Sequence, residues 1–189
     1  MMQSKVNDTF KEIGINLPID YTSSKAYINF LICDDIKNYK KGLKNSLKLY
    51  NNFNFDTLIF KIEFTYKEES LFDKLENSIN ILNRFIDICK LKKPVFMKKN
   101  LYKNNDALTE IITFYWDLSN EKIKIKSLIK EILFLNNDGF KELFSSIYFL
   151  DTKKHILFNF YDDKIIKILS NDNNNFKKIN KKYKKLIIQ

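Results

Sequence analysis

Apolar residues recur along this chain at two spacings, and the switches between them divide it into elements. The clearest region is Leu143–Ser170, LFSSIYFLDTKKHILFNFYDDKIIKILS, three short apolar runs separated by polar breaks at Asp151–Lys154 and Asp162–Asp163. Runs this short, rich in Ile, Phe and Tyr and bounded by turn residues, predict strands, here a three-stranded meander. In its middle run Ile156, Phe158 and Phe160 fall on one face, and Leu157, Asn159 and Tyr161 on the other. A strand that is apolar on nearly both faces predicts a central position, covered from both sides.

Three more strands are expected upstream. Ala26–Cys33 has strand composition, Phe55–Tyr66 alternates Leu58, Phe60, Ile62 and Phe64 with polar residues, and Leu108–Leu118 carries Trp116. Helical spacing appears five times. Val6, Phe10 and Ile13 are closed by Gly14, and Ile36, Tyr39, Leu43, Leu47 and Tyr50 follow the candidate caps Asp34 and Asp35. Leu71, Leu75, Ile79, Leu82 and Cys89 form the most regular amphipathic stripe, after a Ser70/Asp73 capping pair. Ile125–Leu133 and the set Phe176, Ile179, Tyr183, Leu186 and Ile187 complete the helices. Residues 92–106 are lysine-rich and irregular, which predicts a loop. The fold class expected is α+β: one domain over residues 1–189, a mostly antiparallel sheet of about six strands ending in the meander, and four to five flanking helices.

Charge changes the picture less than its size suggests. The 189 residues carry a formal net charge of +10, which raises the question of nucleic acid. Arg84 is the only arginine, however, and recognition of phosphates and base edges favours the planar guanidinium fork. Abundant Lys, Asn, Ile and Phe with few glycines is the composition expected of an AT-rich coding sequence, so a solvated lysine surface accounts for much of the charge. The N-terminus lacks an apolar core of signal-peptide length, and no run approaches the ~20 apolar residues of a membrane span. A cytoplasmic protein is expected, with Cys33 and Cys89 as buried thiols.

Candidate chemistry is sparse. One histidine, His155, and two separated cysteines cannot build a Cys/His zinc site, and three glycines supply no phosphate-binding loop. His155 reads as an ordinary residue at a strand start. The most distinctive polar cluster is Tyr161, Asp162 and Asp163, next to Lys164. Adjacent carboxylates can bind a divalent cation, but at a hairpin tip they are first of all turn formers. No cofactor and no metal are expected.

The last third resembles an uncharacterised bacterial domain family that ends in a strand, a tight turn and a strand, with an aromatic or apolar pair before Tyr-Asp-Asp-Arg-Gly. The matching residues are Phe160, Tyr161, Asp162, Asp163, Lys164 and Ile165, supported by Asp138-Gly139 and the run Ser146–Asp151. The resemblance covers residues 109–187 and departs at Lys164-Ile165, where the family has Arg-Gly. It implies an immunity-type role, in which the protein binds a cognate toxin encoded beside it, with the Tyr161–Lys164 tip or the meander's edge in the contact. The alternatives are a lysine-rich nucleic-acid-binding module without sequence specificity and a metal-dependent enzyme built on Asp162 and Asp163. No membrane partner is expected, and oligomeric state is left open.

Overall fold

The structure, a computed structural model, describes residues 2–15, 27–33, 38–65, 76, 80, 82–85, 96–104, 107–119, 123–133, 145–160 and 164–188. Within them run α1 (Met2–Ile13), β1 (Tyr27–Leu31), α2 (Tyr39–Tyr50), β2 (Thr57–Thr65), β3 (Phe96–Asn104), β4 (Ala107–Asp117), α3 (Ile125–Leu133), β5 (Ser145–Asp151), β6 (Ile156–Phe160), β7 (Ile165–Ser170) and α4 (Asn173–Tyr183). The strands form one open sheet in the order β1-β7-β6-β5-β2-β4-β3, and every neighbouring pair is antiparallel. The α+β class and the meander β5–β6–β7 agree with the sequence pattern. Four α-helices lie among the described residues; the helix expected over 71–89 falls largely outside them, although Leu82 and Phe85 are described and buried.

Two expectations are corrected. Residues 92–106 are not a loop throughout, because Phe96–Asn104 is a strand along β4, from Phe96↔Tyr115 to Asn104↔Ala107. Its position at the edge of the sheet explains the misreading, since edge strands carry lysine where central ones carry apolar runs. Helix α2 is described from Tyr39 with Asn38 as its N-cap; the expected caps Asp34 and Asp35 and the expected start near Ile36 lie outside the described residues. The meander has no open edge, because β5 pairs with β2 and β7 pairs with β1.

Alternation along the strands gives the sheet two different coats. One face carries Phe30, Leu58, Phe60, Trp116, Phe149, Phe158 and Ile168 against Leu49 of α2, Leu128, Ile129 and Ile132 of α3, and Phe176 and Ile179 of α4. The other carries Ile59, Tyr115, Tyr148, Leu150, Leu157 and Leu169 against Val6, Phe10 and Ile13 of α1. Strand β6 is buried at every position, and Phe158 is 0% exposed, as its central place requires. Its ring lies 5.4 Å from Phe55, 6.0 Å from Tyr50 and 5.2 Å from Phe160, distances at which edge-on aromatic pairs add to area burial.

Several buried polar side chains find partners within the fold. Thr9 and Ser46 donate to the carbonyls four residues back at 2.8 Å each, and Asn159 Nδ2 donates to Ile147 O at 3.1 Å. Gly42 marks the close approach of α2 to the end of β1: a Cβ there would sit 3.1 Å from Cys33 Cβ. The outer edge of β1 is met by the C-terminal residues, where Ile187 bridges Phe30 and Ile188 N donates to Asn29 O at 3.0 Å.

Candidate functional site

The antiparallel order places the ends of β2 and β5 side by side, with Thr57 opposite Leu150, and brings together side chains that the sequence keeps almost a hundred residues apart. Asp56 accepts from Thr57 Oγ1 at 2.9 Å on one oxygen, and from Thr152 N at 3.2 Å and Thr152 Oγ1 at 2.5 Å on the other. Asp151 is 2% exposed and accepts from Asn54 N at 3.3 Å and Lys154 N at 3.0 Å. These residues, with Lys5, Asp117, Ser119 and Lys153, line a cleft of about 710 Å³ at this end of the sheet.

Three aspartates around one cleft invite a metal, but the geometry points elsewhere. Each carboxylate already accepts at least one backbone amide: Asp117, from Ser119 N at 2.8 Å, and Asp151 close their own turns, and Asp56 ties the start of β2 to the residue after β5. Among the described residues no group of three or more His, Cys, Asp or Glu is placed to hold a metal ion. The sequence offered only a weak signal for Asp56 and Asp151, because an aspartate at a strand end is an ordinary turn former.

His155 ends the β5–β6 turn at φ 50, in the left-handed region that histidine enters more readily than most side chains. It is half-buried, and its Nδ1 atom is buried without a hydrogen-bond partner. Beside it a second cleft of about 470 Å³ is lined by Glu12, Lys153, Lys154, Asn171, Asp172 and Asn175.

Of the residues singled out from the sequence, Tyr161, Asp162 and Asp163 lie outside the described residues. Lys164 is exposed, and its carbonyl accepts from Ile32 N at 2.8 Å, which fixes it beside the end of β1. For Lys164 this is the end of the sheet opposite to Asp56 and Asp151. Cys33 is buried.

What the described surface displays most is positive charge. Lys40, Lys41, Lys44 and Lys48 of α2 are all exposed, as are Lys177, Lys178, Lys181 and Lys182 of α4 and Lys184 and Lys185 of the 3₁₀ turn after it. Neither helix contains an acidic residue. The inward aromatics are buried in a low-dielectric core: burial raises the Tyr50 hydroxyl well above its ordinary pKa, and Tyr115 on the other face likewise. Burial also lowers the Lys167 ammonium, which stands 5.1 Å over the Tyr27 ring.

Fold and surface together define an α+β protein with an open antiparallel sheet and a basic helical coat. Over residues 2–189 the chain belongs to the family described as a domain of unknown function, DUF3885. That span includes the N-terminal half as well as residues 109–187. No curated protein and no solved structure matches the chain. No helix among the described residues is long and apolar enough to cross a membrane.

Proposed function

We propose that the protein is a bacterial immunity-type protein, which binds a cognate toxin encoded beside it and neutralises it by direct contact. The observation that carries this reading is the display of exposed lysines on regular elements docked to a buried sheet. A surface held in that way meets a partner with little ordering cost, and its charge selects an acidic one. The carboxylates that gather at the sheet end are engaged by backbone amides and threonine hydroxyls, which favours a binding role over a catalytic one. Lys164 fits this picture as part of the contact, because it stands at the end of β1 where α2 begins; Tyr161, Asp162 and Asp163 belong to the same proposed tip.

The test is co-expression of the neighbouring toxin domain with and without this chain, followed by purification of the complex. Cells should survive only when the protein is present, and the two chains should purify together in a one-to-one ratio. Survival without the protein, or survival with no complex, would contradict the reading. A nucleic-acid partner is the competing outcome; lysine contacts alone predict binding that fades toward physiological salt.

A further inference from the structure

We infer that the outward sides of α2 and α4 form one continuous docking surface, and that its partner is a carboxylate-rich face of another protein. The identity of that partner as a toxin rests on the function proposed above; the surface itself does not.

The two helices cover the same sheet face, since Leu49, Phe176 and Ile179 enter one core, so their outer sides point the same way. Their C-terminal ends are fastened together. The Tyr183 hydroxyl donates to Lys48 O at 3.1 Å, Asn52 Nδ2 donates to that hydroxyl, and Lys182 Nζ donates to Asn52 Oδ1 at 2.6 Å. At the other end of α2, the contact of Gly42 with Cys33 and the bond from Ile32 N to Lys164 O bring Lys164 to the same side of the molecule. The basic surface therefore runs from the β6–β7 end along α2 to the C-terminus of α4.

The placement of the charges works against the isolated fold. Lys40, Lys44 and Lys48 stand four residues apart on α2, as do Lys177 and Lys181 on α4, and like charges at that spacing cost roughly 0.2–0.5 kcal/mol per pair. Lys40 and Lys41 also occupy the first turn of α2, which has no acidic residue and where the helix dipole disfavours cations. A compositional drift toward lysine replaces arginine; it does not remove every acid from two adjacent helices. An acidic protein face would relieve this repulsion on binding.

Protein carboxylates fit better than nucleotide bases. The surface has lysine point charges and no arginine fork. Most aromatic residues of these helices turn inward: Phe176 is 7% exposed, Tyr50 packs on the core, and Tyr183 packs edge-on against Phe30 at 6.4 Å, while Tyr39 at the start of α2 is partly exposed. On the outer sides of these helices base stacking would rest on Tyr39 alone, short of the row of rings that single-strand binders use.

The experiment compares two triple variants with the same change of charge, Lys44→Glu/Lys178→Glu/Lys181→Glu on the proposed surface and Lys5→Glu/Lys11→Glu/Lys153→Glu away from it. Fluorescence anisotropy reads the affinity of each full-length protein for labelled polyglutamate and for single-stranded RNA, at low and at physiological salt. The surface variant should lose about tenfold or more in polyglutamate affinity, and the distal variant far less. Equal losses in both would overturn the inference, because net charge alone would explain them. RNA held more tightly than polyglutamate at physiological salt would overturn it in favour of nucleic acid. If the surface variant melts below the wild type, the single variant Lys44→Gln takes its place in the same comparison. In the co-expression assay, protection retained by the surface variant counts against this surface alone, whereas failure of the wild type to protect counts against the toxin reading alone.

Discussion

The helices on the two faces of the sheet do the same work on their inner sides and opposite things on their outer sides. Helix α1 buries Val6, Phe10 and Ile13 as α4 buries Phe176 and Ile179. Outside, α1 balances Lys5 and Lys11 with Asp8 and Glu12, while α2 and α4 carry lysine without any acid. Both coats belong to one chain and one composition. The difference is the one the proposed docking surface requires, because α2 and α4 present lysine with no acid beside it.

The largest expected effect tests the inner sides. Phe158→Ala should cost about 3–5 kcal/mol in a denaturant titration, because the aromatic cluster around it is held by the sheet and α2 together. Phe10→Ala should cost less, since α1 is the only helix described on its face and can shift to fill the space. The reverse order would mean that α1 is the more rigidly held coat.

Alkaline unfolding compares the same two cores. Tyr50 lies in one and Tyr115 in the other, and burial raises both above the ordinary 10.0. A raised folded value means stability that is whole below about pH 10 and is lost as pH rises further, because the unfolded chain releases the protons first. Tyr50→Phe and Tyr115→Phe should each make the loss of stability with pH shallower. Unchanged slopes in both variants would mean that neither hydroxyl is shielded as described.

How much of this was legible depended on how local each signal was. The meander could be read because its three apolar runs are each bounded by turn residues, and the burial of Phe158 followed from its neighbours. Strand β3 was hidden by Lys98, Lys99 and Lys103, which look like a loop until β4 is placed beside them. The order of strands was not legible either: β1 lies against β7, and no local pattern links Tyr27 to Leu169. The same holds for the surfaces. Asp56 falls within the strand expected over Phe55–Tyr66 and Asp151 in a polar break, and the lysines of α2 and α4 each read as a solvated helix side. Only their juxtaposition, through Thr152 in the first case and Asn52 and Tyr183 in the second, turns them into sites.

A smaller effect is expected at the β5–β6 turn. His155→Gly removes a side chain from a left-handed position, where a Cβ costs on the order of 1 kcal/mol, and should raise thermal stability slightly. A loss of stability would show that the packing of the imidazole outweighs the backbone strain.

The smallest effects carry opposite signs on the two coats. Lys44→Glu converts two repulsive pairs, to Lys40 and Lys48, into attractive ones, and should stabilise by roughly 0.2–0.5 kcal/mol per pair. Lys11→Glu breaks the favourable spacing to Asp8 and removes a cation from the last turn of α1, and should destabilise by a similar amount. Differential scanning calorimetry at low salt resolves the two, and shifts of the same sign would erase the contrast between the coats.

The most direct measurement is the rate at which wild-type protein and the Lys44→Glu/Lys178→Glu/Lys181→Glu variant associate with the neighbouring toxin domain as salt is raised. For the wild type the association rate should fall steeply with ionic strength while dissociation stays slow, and the variant should start slow and respond weakly to salt. Equal association rates for the two proteins, with the same salt dependence, would contradict the assignment of the α2–α4 surface as the face that meets the partner.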